Sequence, residues 1–109
     1  MPSPSNGREF NRIPSSLPIQ LKFGSQITLA GVLKDISIKS AFIKIKESVY
    51  LQPNDEVDFS IINTRNGVEE AVTGSGRISR IAAGEGIAIY FTQMDADSSI
   101  RLKELLEVR

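Results

Sequence analysis

The chain contains no cysteine, no histidine and no tryptophan. The first absence excludes disulfides, thiolate metal sites and thiol nucleophiles, and the second excludes imidazole ligands and imidazole acid–base chemistry. Most hydrolase designs are closed off with them. The carboxylates form no recognisable metal or acid–base constellation, so neither an enzyme, a catalytic residue, a metal site nor a bound cofactor is expected. Lys plus Arg number 13 and Asp plus Glu number 13, so the formal net charge is zero and no overall field gathers a nucleic acid polymer. A charged ligand has to be caught locally. Aromatics make up only 6% of the chain, which also speaks against a single-stranded nucleic-acid barrel with its basic groove and stacking rings. No apolar run approaches the roughly 18 residues that cross a bilayer, and the N-terminus lacks a signal-peptide pattern. These features predict no membrane insertion and a cytoplasmic address.

What is present suits one domain: 109 residues, 40% of them hydrophobic. Met1 to Gly7 (MPSPSNG) buries nothing and is expected to stay mobile by itself. It leads into Arg8-Glu9-Phe10-Asn11-Arg12-Ile13-Pro14, so residues 1–13 read as an arm and 14–109 as the folded body. From Leu17 onward, short β-rich runs alternate with turn residues at intervals of about 8 to 12, the spacing of an antiparallel sandwich or barrel. Ile19, Leu21 and Phe23 alternate with polar neighbours, and Ile27 to Ile36 follows as a longer run in which Gly31 is expected to mark a bulge or bend. Ala41, Ile43 and Ile45 alternate next, then Val57, Phe59 and Ile61. Asn66-Gly67 predicts a hairpin into Val68 to Ile81, a run broken by Gly74 and Gly76, and Gly84-Glu85-Gly86 turns it back into Ile87 to Phe91. That makes six strands.

After Thr92 the period changes, because Leu102, Leu105 and Leu106 fall at i, i+3 and i+4 among charged residues. A C-terminal amphipathic helix is predicted, with Asp95 and Asp97 at its start, Arg109 at its end and its leucine face closing one side of the barrel. Phe10, Phe23, Phe42, Phe59, Tyr90 and Phe91 are read as core or rim. Arg77 and Arg80 are read as lying on the outer face of a strand.

Two groups of residues carry possible chemistry. Arg8 and Arg12 stand four apart before the first strand, and each guanidinium is a planar fork of donors suited to a phosphate or to the acceptor edge of guanine. Asp35 and Ser37 are two apart at the junction of the second and third runs, so on an extended backbone they point to the same side and can accept and donate hydrogen bonds to one ligand. Taken singly, each has a plainer reading. Arginines in a tail are commonly just solvated, and Asp-x-Ser commonly satisfies the backbone of a turn.

In this order the two groups resemble the signature of the PilZ domain, a bacterial receptor module for cyclic di-GMP: RxxxR, then (D/N)xSxxG. Here these are Arg8-Glu9-Phe10-Asn11-Arg12 and Asp35-Ile36-Ser37-Ile38-Lys39-Ser40, and Gly76 to Ile81 and Gly86 to Phe91 are similar to the family's fifth and sixth strands. The resemblance covers about Arg8 to Leu106 and implies a mainly β fold, a six-stranded antiparallel β-barrel with a C-terminal α-helix. It also implies that Arg8 and Arg12 bind the phosphates and guanines of cyclic di-GMP, while Asp35, Ser37 and Ser40 complete the ligand site. The expected function is a cytoplasmic, non-catalytic receptor in which the arm wraps the ligand and the changed surface meets an unidentified protein effector. Ser40 departs from the signature, where glycine stands. If that backbone is left-handed, serine costs about 1 kcal/mol there. The alternative is a degenerate PilZ adaptor that holds a protein partner without nucleotide.

Overall fold

The computed structural model describes residues 12–24, 27–45 and 51–107. Arg8, Phe10, Arg109 and the Met1 to Gly7 stretch lie outside the described residues. The elements run β1 (Ile13–Pro14), β2 (Pro18–Phe23), β3 (Ile27–Ile36), β4 (Ser40–Lys44), β5 (Glu56–Arg65), β6 (Val68–Ala82), β7 (Gly86–Met94) and α1 (Ala96–Glu107). Strand order is β3-β2-β5-β6-β7-β4, and β4 pairs back onto β3, so six antiparallel strands close into a barrel. The two-residue β1 lies outside it, pairing Ile13 with Ile36 and Pro14 with Asp35. The expected mainly β barrel with a C-terminal helix is therefore the fold, with this one added strand.

Period-2 alternation builds the barrel interior. In β2, Ile19, Leu21 and Phe23 point inward while Pro18, Gln20 and Lys22 are exposed. Ala41 and Ile43 of β4, Val57, Phe59 and Ile61 of β5, Val72 and Ile78 of β6, and Ile87 and Ile89 of β7 meet them in one core. Asn66 and Gly67, at φ 53° and 79°, form the two-residue turn that joins β5 to β6, with Arg65 paired to Val68. Both central residues of such a turn need positive φ, which asparagine and glycine tolerate best.

The structure departs from the expected course in two strands. β6 runs unbroken through Gly74 and Gly76, which sit where neighbouring backbone approaches too closely for a Cβ. In β3 the irregularity falls at Lys34 rather than at Gly31: Leu33 pairs with Ile43 and Asp35 with Phe42, leaving Lys34 as an extra residue. Gly31 is instead a close-packing point, where a Cβ would come within 2.8 Å of methyls on Ile43 and Ile45.

α1 packs against β6. Leu102 is buried in the core, with Leu105 and Leu106 partly buried against it. Ser98, also buried, accepts a hydrogen bond on Oγ from the Thr73 N–H at 3.0 Å, and Arg101 donates to the Ala71 carbonyl at 3.0 Å. Asp95 caps the helix by accepting from the Ser98 N–H at 3.3 Å. Among the described residues no helix is long and apolar enough to cross a membrane.

Candidate functional site

The bulge at Lys34 decides where the acidic residue points. Leu33 and Ile36 are both buried, so the extra residue between them turns Lys34 and Asp35 together to the outside of the barrel. A strict two-residue alternation would have sent one of those charges inward. The strand then ends, and residues 37–39 turn into β4.

Ser37 holds that turn. It is 1% exposed, and its Oγ accepts from the N–H groups of Lys39 and Ser40, each at 3.1 Å, and donates to the Ser40 carbonyl at 3.3 Å. The Ser37 N–H donates to the same carbonyl at 2.8 Å. The Lys39 carbonyl accepts from the Phe91 N–H at 2.8 Å, which ties the turn to β7. Asp35 and Ser37 therefore do not share a face as an extended backbone would require. Asp35 is half-exposed on the outer wall, and the Ser37 hydroxyl is buried within the turn.

Arg12 reaches this turn from the root of the N-terminal arm, held in place by the β1–β3 pairing. Its Nε and Nη2 lie 3.0 and 2.8 Å from Asp35 Oδ1, and its Nη1 donates to Ser40 Oγ at 2.6 Å. Three residues separated by 23 and 28 positions in sequence thus meet at one point. Ser40 opens β4 opposite Tyr90, and its φ is not positive, so serine carries no left-handed backbone penalty there. The expected cost of replacing the signature glycine does not arise from the backbone. Of the sequence-predicted site residues, Arg12, Asp35 and Ser40 converge, Ser37 is buried behind them in the turn, and Arg8 lies outside the described residues.

The wall beside this cluster holds groups that sequence reasoning did not assign to it. Phe42 faces outward from β4 yet is only 7% exposed, because Lys34 and Arg80 cover its ring with their charged ends 5.7 and 5.6 Å from its centroid. Asp35, Phe42, Ala88 and Arg80 lie in one cross-strand row, and Tyr90, an exposed aromatic, stands between Ser40 and Arg77 in the next. Arg12 beside Asp35, and Lys34 and Arg80 over Phe42, thus put three cations along one wall in a chain with no net charge. That arrangement favours an anion. Only the charged pair Lys34-Asp35, set between two apolar residues, signalled it in sequence. Behind the turn, Ile38 and Lys39 face Leu102 and Lys103 of α1 across a cleft of about 290 Å³. Among the described residues no group of acidic side chains is placed to hold a metal ion.

Solved structures share this architecture. The Bacillus subtilis inhibitor of motility, MotI/DgrA, superposes with a TM-score of 0.76 at 12% identity over 100% of this chain, which spans 58% of that one. The PilZ domain of CeSA from a cellulose-synthesizing bacterium matches at 28% identity and TM-score 0.65, covering 90% of this chain and 99% of its own. The PilZ domain of YcgR from Escherichia coli, solved with c-di-GMP, matches at 15% identity and TM-score 0.66, covering 91% and 88%. No curated protein sequence matches the chain. The PilZ domain family profile matches residues 6–107, nearly the whole length, and the chain belongs to the PilZ domain family.

Proposed function

We propose that this protein is a non-catalytic cyclic di-GMP receptor of bacterial second-messenger signalling. The observation that carries the reading is the junction of Arg12, Asp35 and Ser40 on the outer wall, assembled from both halves of the RxxxR and DxSxx pattern. A guanidinium there offers charge-assisted hydrogen bonds to a phosphate or to guanine. The Asp35 carboxylate accepts from a guanine edge. Lys34 and Arg80 add positive potential along the wall on which a dianionic ligand would lie. Residues 1–13 act as the arm carrying Arg8 and Arg12, and 14–109 form the barrel on which the arm closes.

Signal output follows from the turn that Ser37 holds. One side of it bears the Arg12 cluster and the other lines the cleft against α1, so a ligand-induced shift of the turn changes the surface offered to a protein effector. A cytoplasmic messenger places the protein in the cytoplasm. The nucleotide-free adaptor reading rested on Ser40 as a defect, and that support weakens because Ser40 sits in regular strand and engages Arg12.

Calorimetric titration with cyclic di-GMP, with GTP as control, tests the reading. Saturable heat is expected with the cyclic dinucleotide and none with GTP at the same concentration. A chain that is folded and gives no heat with either would leave the adaptor reading standing alone.

A further inference from the structure

The contacts around Arg12 are asymmetric in a way that bears on ligand capture. Two of its nitrogens converge on one oxygen, Asp35 Oδ1, and two contacts to a single atom form a pivot about which a guanidinium still turns. The third contact, from Nη1 to Ser40 Oγ at 2.6 Å, is the one that fixes the plane. Ser40 is itself a firm anchor. Its N–H donates to Ser37 Oγ, its carbonyl accepts from the Ser37 N–H, and its hydroxyl lies 3.4 Å from the buried Ser37 hydroxyl.

A hydroxyl differs from a carboxylate in a second respect, because it orients a cation without cancelling its charge. Asp35 already neutralises part of the Arg12 field, and a second acid at position 40 would remove the attraction for an anion. Glycine would leave Nη1 without this partner and return rotamer freedom to a long side chain that is 39% exposed.

We propose that Ser40 is a positioning residue: its neutral hydroxyl fixes the plane of the Arg12 guanidinium on the barrel wall, so that an anionic dinucleotide meets an arginine already oriented for it. The inference rests on the cyclic di-GMP reading of the site and reverses the sign expected of the departure from glycine. Serine strengthens the site, because the ordering cost of the arginine is met before the ligand arrives.

Two measurements separate this inference from the reading beneath it. In the ligand-free protein, the Arg12 Nε–H resonance is expected to be sharp and slow to exchange, to broaden and exchange faster in Ser40→Ala, and to be restored in Ser40→Thr. In calorimetry, Ser40→Ala and Ser40→Gly are expected to bind cyclic di-GMP about three- to tenfold more weakly, the worth of one exposed hydrogen bond. Ser40→Thr should bind like the parent, and Ser40→Ala should add nothing to Arg12→Ala. Equal or tighter binding by Ser40→Ala or Ser40→Gly overturns the proposal, as does a loss that persists without Arg12. If the parent protein gives no heat, the receptor reading falls, and the resonance decides alone: an Arg12 signal indifferent to Ser40→Ala ends the positioning role.

Discussion

The two ends of the described chain are attached to the same barrel by opposite physics. At the N-terminal end, a two-residue strand, a half-buried Ile13 and a solvent-exposed Arg12 hold on through one carboxylate and one hydroxyl. At the C-terminal end, α1 drops Leu102 into the core and satisfies the edge of β6 with the buried Ser98. The Arg12 contacts at the first end are exposed, whereas those of Ser98 and Arg101 to β6 at the second are partly buried. An exposed charge pair adds about 1 kcal/mol or less to stability, whereas a buried leucine is worth several. The first attachment therefore suits an arginine that is held in place yet stays open to a ligand. The second suits permanent structure.

Leu102→Ala probes the permanent end and has the largest expected effect, a loss of about 2–5 kcal/mol in denaturant unfolding. A loss under about 1 kcal/mol would mean that the helix is an ornament on a self-sufficient barrel, and the contrast between the ends would fail. Arg12→Ala probes the exchangeable end. It is expected to leave unfolding within about 1 kcal/mol of the parent while weakening cyclic di-GMP binding by about 10- to 100-fold, from the loss of a charge-assisted hydrogen bond. Added salt should weaken that binding in the parent and leave the helix attachment unmoved. An Arg12→Ala protein that binds as tightly as the parent would remove Arg12 from the site.

How much of this was legible in the sequence follows from the range of the forces involved. The alternation of Ile19, Leu21 and Phe23, the Asn66-Gly67 turn and the leucine spacing after Thr92 are local signals, and each names its element correctly. β1 escaped because two residues show no period. Gly31 is the conspicuous breaker in the sequence, but Lys34-Asp35 between Leu33 and Ile36 is the actual break in alternation. Ser37 was read along an extended backbone, but β3 stops one residue earlier and the serine serves the turn. The bond from Arg12 to Ser40 joins groups 28 residues apart through barrel closure, and no local pattern encodes it. Phe42 was read as core or rim; only the closed barrel places it on the outer wall beneath Lys34 and Arg80.

The smallest expected effect lies at the exposed cap of α1. Hydrogen bonding from Ser98, chiefly its side chain and also its backbone N–H, holds the Asp95 carboxyl below the ordinary aspartate range, and Arg101 adds to the pull. A pKa that folding depresses stabilises the protein wherever the carboxylate is charged. The contribution is complete above the unfolded-state value of about 3.9 and is lost as pH falls through the lower folded value. Asp95→Asn keeps a good capping side chain and removes only the charge. Denaturation midpoints of the two proteins should therefore differ near neutral pH, with the parent the more stable, and converge as the solution is made acid. Because Asp95 is fully exposed, the gap should also narrow in high salt. Curves that stay parallel down to acid pH would show that the cap acts through hydrogen-bond geometry alone.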